Sequence, residues 1–222
     1  MWSADVTDRA EAFHYRDGDL YCEDVPVGDL CAEHGTPLYI YSHAALTGQY
    51  KALADAFKRC DPVICYSVKS NSNLAVVRSL ARLGSGADIV SGGELHRALK
   101  AGVPSDKLVF AGVGKTDREI GDALAAGILL FNIESVPEAY AIDRVARGMG
   151  VVAPVALRVN PDVDAQTHRH TTTGKKGTKF GVDIDRAVAV YKELNELPSL
   201  DLCGVHVHLG SPVTTLAAYE DA

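Results

Sequence analysis

The sequence predicts an α/β fold built on a parallel sheet, and three observations carry that expectation. From about residue 60 onward, apolar runs alternate with amphipathic segments; the runs lie near 63–68, 87–90, 107–111, 128–133, 153–159 and 202–209. Strands buried on both faces read as near-continuous apolar stretches of this kind. The segments between them hold helix start and stop signals, which implies βαβ units. Thirdly, no G-x-G-x-x-G follows the first run, which weakens an open dinucleotide-binding sheet. A closed barrel and an open doubly wound sheet both fit the alternation itself.

Taken in order, residues 1–41 behave differently from the rest. They hold an Asp17-Gly18-Asp19 turn between short apolar stretches, then the strand-like Leu38-Tyr39-Ile40-Tyr41. Ser42 can cap a helix that places Leu46, Tyr50, Leu53, Ala54 and Phe57 on one face. The run Val63 to Val68 ends in the cluster Ser70-Asn71-Ser72-Asn73. Leu74, Val77 and Leu80 form the next apolar stripe, ended by Gly84, and Leu95, Ala98 and Leu99 precede Gly102. Thr116 with Glu119 reads as a capping box, as does Ser135 with Glu138. Pro137 falls in the first turn of the latter helix, where proline is tolerated. Gly112-Val113-Gly114-Lys115-Thr116 resembles the end of a P-loop, but its required first glycine falls at Val109, so that pattern fails.

The bulk properties narrow the function. The chain has 222 residues, 47% of them apolar and 23% charged, enough for one sizeable core of ordinary globular composition. A formal net charge of −7 argues against a nucleic-acid or anionic-membrane partner. No apolar run approaches the ~18 residues that span a bilayer. Asp5, Asp8 and Glu11 sit in an N-terminus without an apolar core, so no signal peptide is expected. The five cysteines are Cys22, Cys31, Cys60, Cys65 and Cys203, and none forms a C-x-x-C pair. Reduced thiols in a cytoplasm are the simplest account.

Lys69 is the first candidate for chemistry. It ends an apolar run, where burial without purpose is costly, and it is well placed if its amine must form a Schiff base. A solvated lysine flanking a strand is the alternative. A second candidate is Gly204-Val205-His206-Val207-His208-Leu209-Gly210-Ser211, whose alternation points His206 and His208 to one side. No third metal ligand is assignable nearby, so no metal is expected. Asp88, in Ala87-Asp88-Ile89-Val90-Ser91, either ends a strand near Lys69 or merely starts the next helix with Ser91. Glu94 suits the first turn of that helix. Arg158 lies near the end of another apolar strand. Residues 160–181 form a polar stretch with His168, Arg169, His170, Lys175, Lys176 and Lys179. A solvated loop and an attractor for a dicarboxylate substrate both fit it.

Tyr66-Ser67-Val68-Lys69-Ser70-Asn71 resembles the Y-x-V-K-x-N segment of the pyridoxal-phosphate barrels of the alanine racemase and decarboxylase type. Alanine is commoner there at the positions of Ser67 and Ser70. His206 to Ser211 resembles the H-x-H-[IL]-G-S segment of diaminopimelate decarboxylases, and Asp88 to Glu94 their D-[VI]-x-S-x-G-E. Asn160-Pro161-Asp162-Val163-Asp164-Ala165, Lys107 to Thr116 and Phe131-Asn132-Ile133-Glu134-Ser135 add to that match, which covers nearly the whole chain. The resemblance implies an incomplete (β/α)8 barrel of the TIM type, with about six of its eight strands. Residues 1–41 would be a segment of a separate β domain, and 42–222 a partial cofactor-binding barrel, making the chain the N-terminal portion of a longer enzyme.

By the same resemblance, Lys69 carries pyridoxal 5′-phosphate and Asp88 orients the lysine or histidine. Arg158 lies beside the cofactor ring, His208 stacks on it, and Gly210 and Ser211 approach the phosphate. The implied reaction is decarboxylation of meso-2,6-diaminopimelate to L-lysine, with a small amino acid as substrate and a homodimer when full length. The pyridine-nitrogen partner, the glycine-rich phosphate loop and a cysteine from across the dimer would lie beyond Ala222, leaving this chain inactive alone. Decarboxylases of arginine, ornithine or carboxynorspermidine are one alternative. A non-catalytic pyridoxal-phosphate barrel or an inactive fragment is another.

Overall fold

The computed structural model describes residues 12–163, 180–211, 213 and 216–222. The chain divides into two compact units, Met1–Pro62 and Val63–Ala222. In the first, β1 (Phe13–Arg16), β2 (Asp19–Cys22) and β3 (Val25–Pro26) form an antiparallel sheet. Asp17 and Gly18 turn β1 into β2, both at positive φ, as a two-residue hairpin requires. α1 (Val27–His34) follows, then α2 (His43–Phe57). Ser42 caps α2 by accepting from the Ala45 N–H. Its hydroxyl donates to Glu23 at 2.7 Å, and Glu23 also accepts from the Ala44 N–H at 2.8 Å. Those bonds, the Ala44 one first, hold the Glu23 carboxyl below its ordinary range. The expected strand at 38–41 does not form. Tyr39 and Tyr41 are exposed, and the segment pairs with no strand among the described residues, so its alternation has no sheet face to bury.

The second unit is a β/α barrel in part. Six strands run parallel: β4 (Cys65–Ser67), β5 (Gly86–Ile89), β6 (Leu108–Phe110), β7 (Leu130–Ile133), β8 (Ala153–Asn160) and β10 (Leu200–His206). Their spatial order repeats their chain order, and the two-residue β9 (Val182–Asp183) adds beside the end of β8. Crossover helices intervene: α3 (Leu74–Ala81), α4 (Gly92–Ala101), α5 (Asp117–Ala126), α6 (Val136–Met149) and α7 (Ile184–Leu194), with α8 (Ala217–Asp221) last. Sequential order with one helix per step winds a barrel rather than a doubly wound sheet, whose strand order reverses. No helix among the described residues is long and apolar enough to cross a membrane.

Local signals explain the helix starts. Asn73, Ser91, Thr116 and Ser135 each accept a first-turn N–H. Thr116 and Glu119 complete the expected box. Ser135 and Glu138 make only half of theirs. Ser135 accepts from the Glu138 N–H, but the Glu138 carboxylate takes the Glu134 N–H and the Lys115 ammonium instead. Glu94 repeats this reach, accepting from the Val90 N–H. These carboxylates therefore tie each helix to the end of the strand before it.

The core sits between the sheet and its helices. Phe110 and Phe131 stack at 5.9 Å on adjacent strands, and both are fully buried with Leu108, Ile133 and Leu157. Burial thins toward the two borders: β4 is half-buried, and β10 alternates exposed and half-buried residues. The strand expected at 202–209 stops at His206, although the alternation of burial continues through His208.

Candidate functional site

The motif around Lys69 is mostly occupied in building a turn. β4 stops at Ser67, and Val68–Ser70 is a single 3-10 turn anchored by the fully buried Val68. The Tyr66 hydroxyl donates to the Asn71 carbonyl at 3.1 Å, and the Ser70 hydroxyl to that of Ser67 at 2.7 Å. Asn71 accepts from the Asn73 N–H, and Asn73 then caps α3. The turn thereby leaves the Lys69 side chain exposed at the carboxyl end of β4.

Asp88 lies opposite Ser67 in the β4–β5 register, and the Ser67 hydroxyl donates to its carboxylate at 2.9 Å. Ser91, not Asp88, starts α4, so of its two readings Asp88 takes the strand-end place. Burial pushes the Asp88 carboxyl up; the Ser67 bond and the charges of Lys69 and His208 pull it down, and Glu134 adds a push upward. Lys69, Asp88 and His208 thus act on one another although they come from β4, β5 and the end of β10.

Arg158, on β8, is ion-paired. Its Nη1 donates to both carboxylate oxygens of Glu134, at 3.0 and 2.8 Å, and both side chains are almost wholly buried. The guanidinium lies 5.7 Å from the centre of the Phe180 ring. Asn160 donates to the Phe180 carbonyl at 2.7 Å. Gly181 has φ +81°, and a Cβ there would meet the Arg158 side chain and Asn160 at 3.0 Å; only glycine lets the backbone pass so close.

His206 pairs directly with Arg158 across the β8–β10 register. Burial is the largest cause pushing its imidazole down to about 4, followed by the charges of Arg158, His208 and Lys115. His208 is also pushed down, by burial first and then by Arg158 and Lys69. Both rings are therefore neutral near pH 7. Arg158 Nε and His206 Nδ1 are buried, and neither has a hydrogen-bond partner among the described residues. Unmet buried polar atoms are costly in a finished core.

Four of the six residues expected from sequence, Lys69, Asp88, Arg158 and His208, form one electrostatic set at the carboxyl ends of strands, where barrel enzymes carry their sites. Gly210 and Ser211 follow His208 on the same loop, Gly210 at φ 143°, but neither enters that set. His168, Arg169, His170, Lys175, Lys176 and Lys179 lie outside the described residues. Among the described residues no group of three or more His, Cys, Asp or Glu side chains is arranged to hold a metal.

Sequence reasoning missed Glu134, Lys115 and Glu138. Glu134 was signalled by a carboxylate placed directly after an apolar run, as in Phe131-Asn132-Ile133-Glu134. Lys115 was read as part of a failed P-loop pattern and of the Lys107–Thr116 resemblance, with no role of its own. In the structure its side chain is 1% exposed and its three N–H donors are all used. They reach the Gly112 carbonyl at 2.7 Å, the Asn132 carbonyl at 3.1 Å and Glu138 at 2.5 Å.

An exposed primary amine, neutral imidazoles, a nearby carboxylate and buried nitrogens without a partner among the described residues make a set that fits a pyridoxal cofactor. Comparison with known proteins points the same way. Residues 43–222 match the family described as pyridoxal-dependent decarboxylase, pyridoxal binding domain. The chain is 50% identical over 211 residues to the diaminopimelate decarboxylase of Vibrio cholerae, covering 95% of this chain and 51% of that protein. It is 50% identical over 212 residues to the one from Pseudomonas aeruginosa, covering 96% and 51%. The crystal structure of diaminopimelate decarboxylase from M. jannaschii in complex with L-lysine superimposes with a TM-score of 0.88 at 37% identity, over 95% of this chain and 50% of that one. The chain spans about half the length of the curated relatives it matches.

Proposed function

Because the chain belongs to the pyridoxal-dependent decarboxylase family, whose pyridoxal-binding domain occupies residues 43–222, we propose that it serves decarboxylation of meso-2,6-diaminopimelate to L-lysine and CO2. The observation that carries this reading is the convergence of Lys69, Asp88, Arg158 and His208 on one end of the sheet. Identity near 50% to two proteins named diaminopimelate decarboxylase supports the substrate, as does the L-lysine bound by the M. jannaschii relative.

In this reading Lys69 holds pyridoxal 5′-phosphate through its amine. That position is exposed, so the incoming substrate amine can displace it. Asp88 sets the Lys69 ammonium and the His208 ring by charge. His208, kept neutral by burial and by Arg158, offers a flat face to the cofactor ring without repelling it. Arg158, pinned by Glu134, keeps its Nε–H for a polar atom at the ring edge. Gly210 and Ser211 border the phosphate, where a glycine lets the backbone approach. When bound, the cofactor supplies the electron sink that takes up the electron pair freed as the α-carboxylate leaves. Residues 1–41 are assigned to a β domain and 42–222 to the barrel. The whole enzyme is assigned to the cytoplasm as a homodimer.

Incubation with pyridoxal phosphate followed by borohydride should label one peptide, that of Lys69. Labelling elsewhere, or undiminished labelling of Lys69→Ala, sinks the assignment. For the substrate, lysine release from meso-diaminopimelate should exceed amine release from arginine or ornithine; the reverse order overturns the choice.

A further inference from the structure

The buried ion pair of Arg158 and Glu134 fixes one nitrogen of the guanidinium and leaves the rest to other contacts. Nη1 alone donates to Glu134, to both carboxylate oxygens, and Nε has no partner among the described residues. A planar cation held at one nitrogen can still turn about that point. A guanidinium set beside a flat ring needs its plane held as well as its position.

Residues 180–183 supply a second contact. The chain returns there to the ends of β7 and β8. The Gly181 N–H donates to the Glu134 carbonyl at 3.0 Å, and the Asn160 amide donates to the Phe180 carbonyl at 2.7 Å. Val182 and Asp183 then pair with Val159 and Asn160 as β9. This seating puts the Phe180 ring centre 5.7 Å from the guanidinium carbon of Arg158, inside the ~6 Å over which a cation is drawn to a ring face. Gly181 packs against the stem of the same side chain: at φ +81°, a Cβ on it would stand 3.0 Å from Arg158 Cγ. Phe180 is half-buried, so it adds less to the apolar core than the wholly buried Phe110 and Phe131. The Arg158 side chain, 6% exposed, is a desolvated cation, for which a ring face counts most.

We infer that Phe180 is a positioning residue for the cofactor site: its ring, seated by Asn160 and Gly181, fixes the plane of the Arg158 guanidinium, whose position Glu134 fixes. The inference rests on the assignment of Arg158 to the cofactor ring. No proton needs to move for it; the ring acts on orientation alone.

Phe180→Leu and Phe180→Tyr test the role. Leucine keeps an apolar side chain at this half-buried position and removes the ring face, whereas tyrosine keeps the face. Nitrogen relaxation of the Arg158 Nε–H, identified by its absence from Arg158→Lys, is measured without cofactor. Its order parameter should lie in the rigid range, about 0.85, in the wild type and in Phe180→Tyr, and fall below about 0.6 in Phe180→Leu. Phe180→Leu should also bind pyridoxal phosphate about five- to tenfold more weakly, the size of one ring–cation contact, while Phe180→Tyr stays within about twofold of the wild type. An Arg158 as rigid in Phe180→Leu as in the wild type overturns the proposal. So does a Phe180→Tyr as loose as Phe180→Leu, which would make the contact one of fit alone, and so does wild-type cofactor affinity in a Phe180→Leu whose Arg158 has loosened. Failure of the wild-type chain to take up cofactor at Lys69 would instead overturn the function proposed above and leave the order parameters standing.

Discussion

The middle strands of the sheet, β6 to β8, and its border strands, β4 and β10, draw on similar residues and do different work. In the middle, Leu108, Phe110, Phe131, Ile133, Val155 and Leu157 are wholly buried, and the charges among them are paired. At the borders, Cys65 to Ser67 are half-buried, and on β10 Val205 is 62% exposed. The groups assigned to chemistry follow that division. Arg158 stands in the middle, held by two hydrogen bonds, whereas Lys69 and His208 stand at the two borders. Burial and paired charge therefore decline from the middle of the described sheet toward its two edges.

Phe131→Ala and Val205→Ala test that contrast most strongly. Removing Phe131, which stacks on Phe110, empties a closed core and should cost ~3–5 kcal/mol. Val205→Ala changes an exposed border side chain and should cost below ~1 kcal/mol. Urea unfolding measures both. Equal costs would show that the border is packed as tightly as the middle, and the division would fall.

Much of this was legible in the sequence, for stated physical reasons. Each of the six apolar runs holds one of the six parallel strands, and the inner ones read as continuous because strands buried on both faces need continuous apolarity. Ser42, Thr116 and the glycines after the helices acted through local hydrogen bonds, which sequence spacing records. The run at 38–41 misled because alternation describes a potential strand and not its partner. Lys69, Asp88 and His208 were singled out through motif. The Lys115–Glu138–Glu134–Arg158 row was not, because its bonded neighbours lie 23, 4 and 24 positions apart (115 to 138, 138 to 134, 134 to 158). Only the winding of the barrel brings them together. The same spacing hid the pairing of His206 with Arg158.

His206 gives a prediction of intermediate size. Its imidazole is pushed from 6.5 to about 4 by burial first, then by Arg158. The unfolded chain thus binds a proton between those values that the folded chain refuses. Stability from this site is fully present above pH ~6.5 and is lost as pH falls toward ~4, by on the order of 3 kcal/mol. Asp88 and Glu138, whose carboxyls are pushed up, act in the opposite sense, so the comparison must be between variants. Urea unfolding of His206→Gln across this range should show a flatter acid limb than wild type. Identical limbs would mean that the ring is solvated.

A smaller effect is expected at Ser67. Ser67→Ala removes the hydroxyl that bonds Asp88 and should cost ~0.5–1.5 kcal/mol. Because that bond favours the charged form, its loss should raise the Asp88 carboxyl further, which a carbon-detected titration of Asp88 would follow. An unchanged titration would leave Lys69 and His208 as the groups that govern Asp88.

Lys69→Ala should have the smallest effect on the fold and the sharpest on function. The turn that carries Lys69 is held by Tyr66, Ser70 and Asn71, and its anchor is Val68. None of those contacts involves the lysine side chain, which is exposed. Stability should therefore change by less than ~0.5 kcal/mol, while borohydride-stable uptake of pyridoxal phosphate should vanish. A variant that loses stability as well would place Lys69 among the residues that build the border. A variant that keeps both would move the cofactor amine elsewhere. Retained stability with lost labelling is the outcome that the proposed cofactor role requires, since none of the contacts that hold the turn uses the lysine side chain.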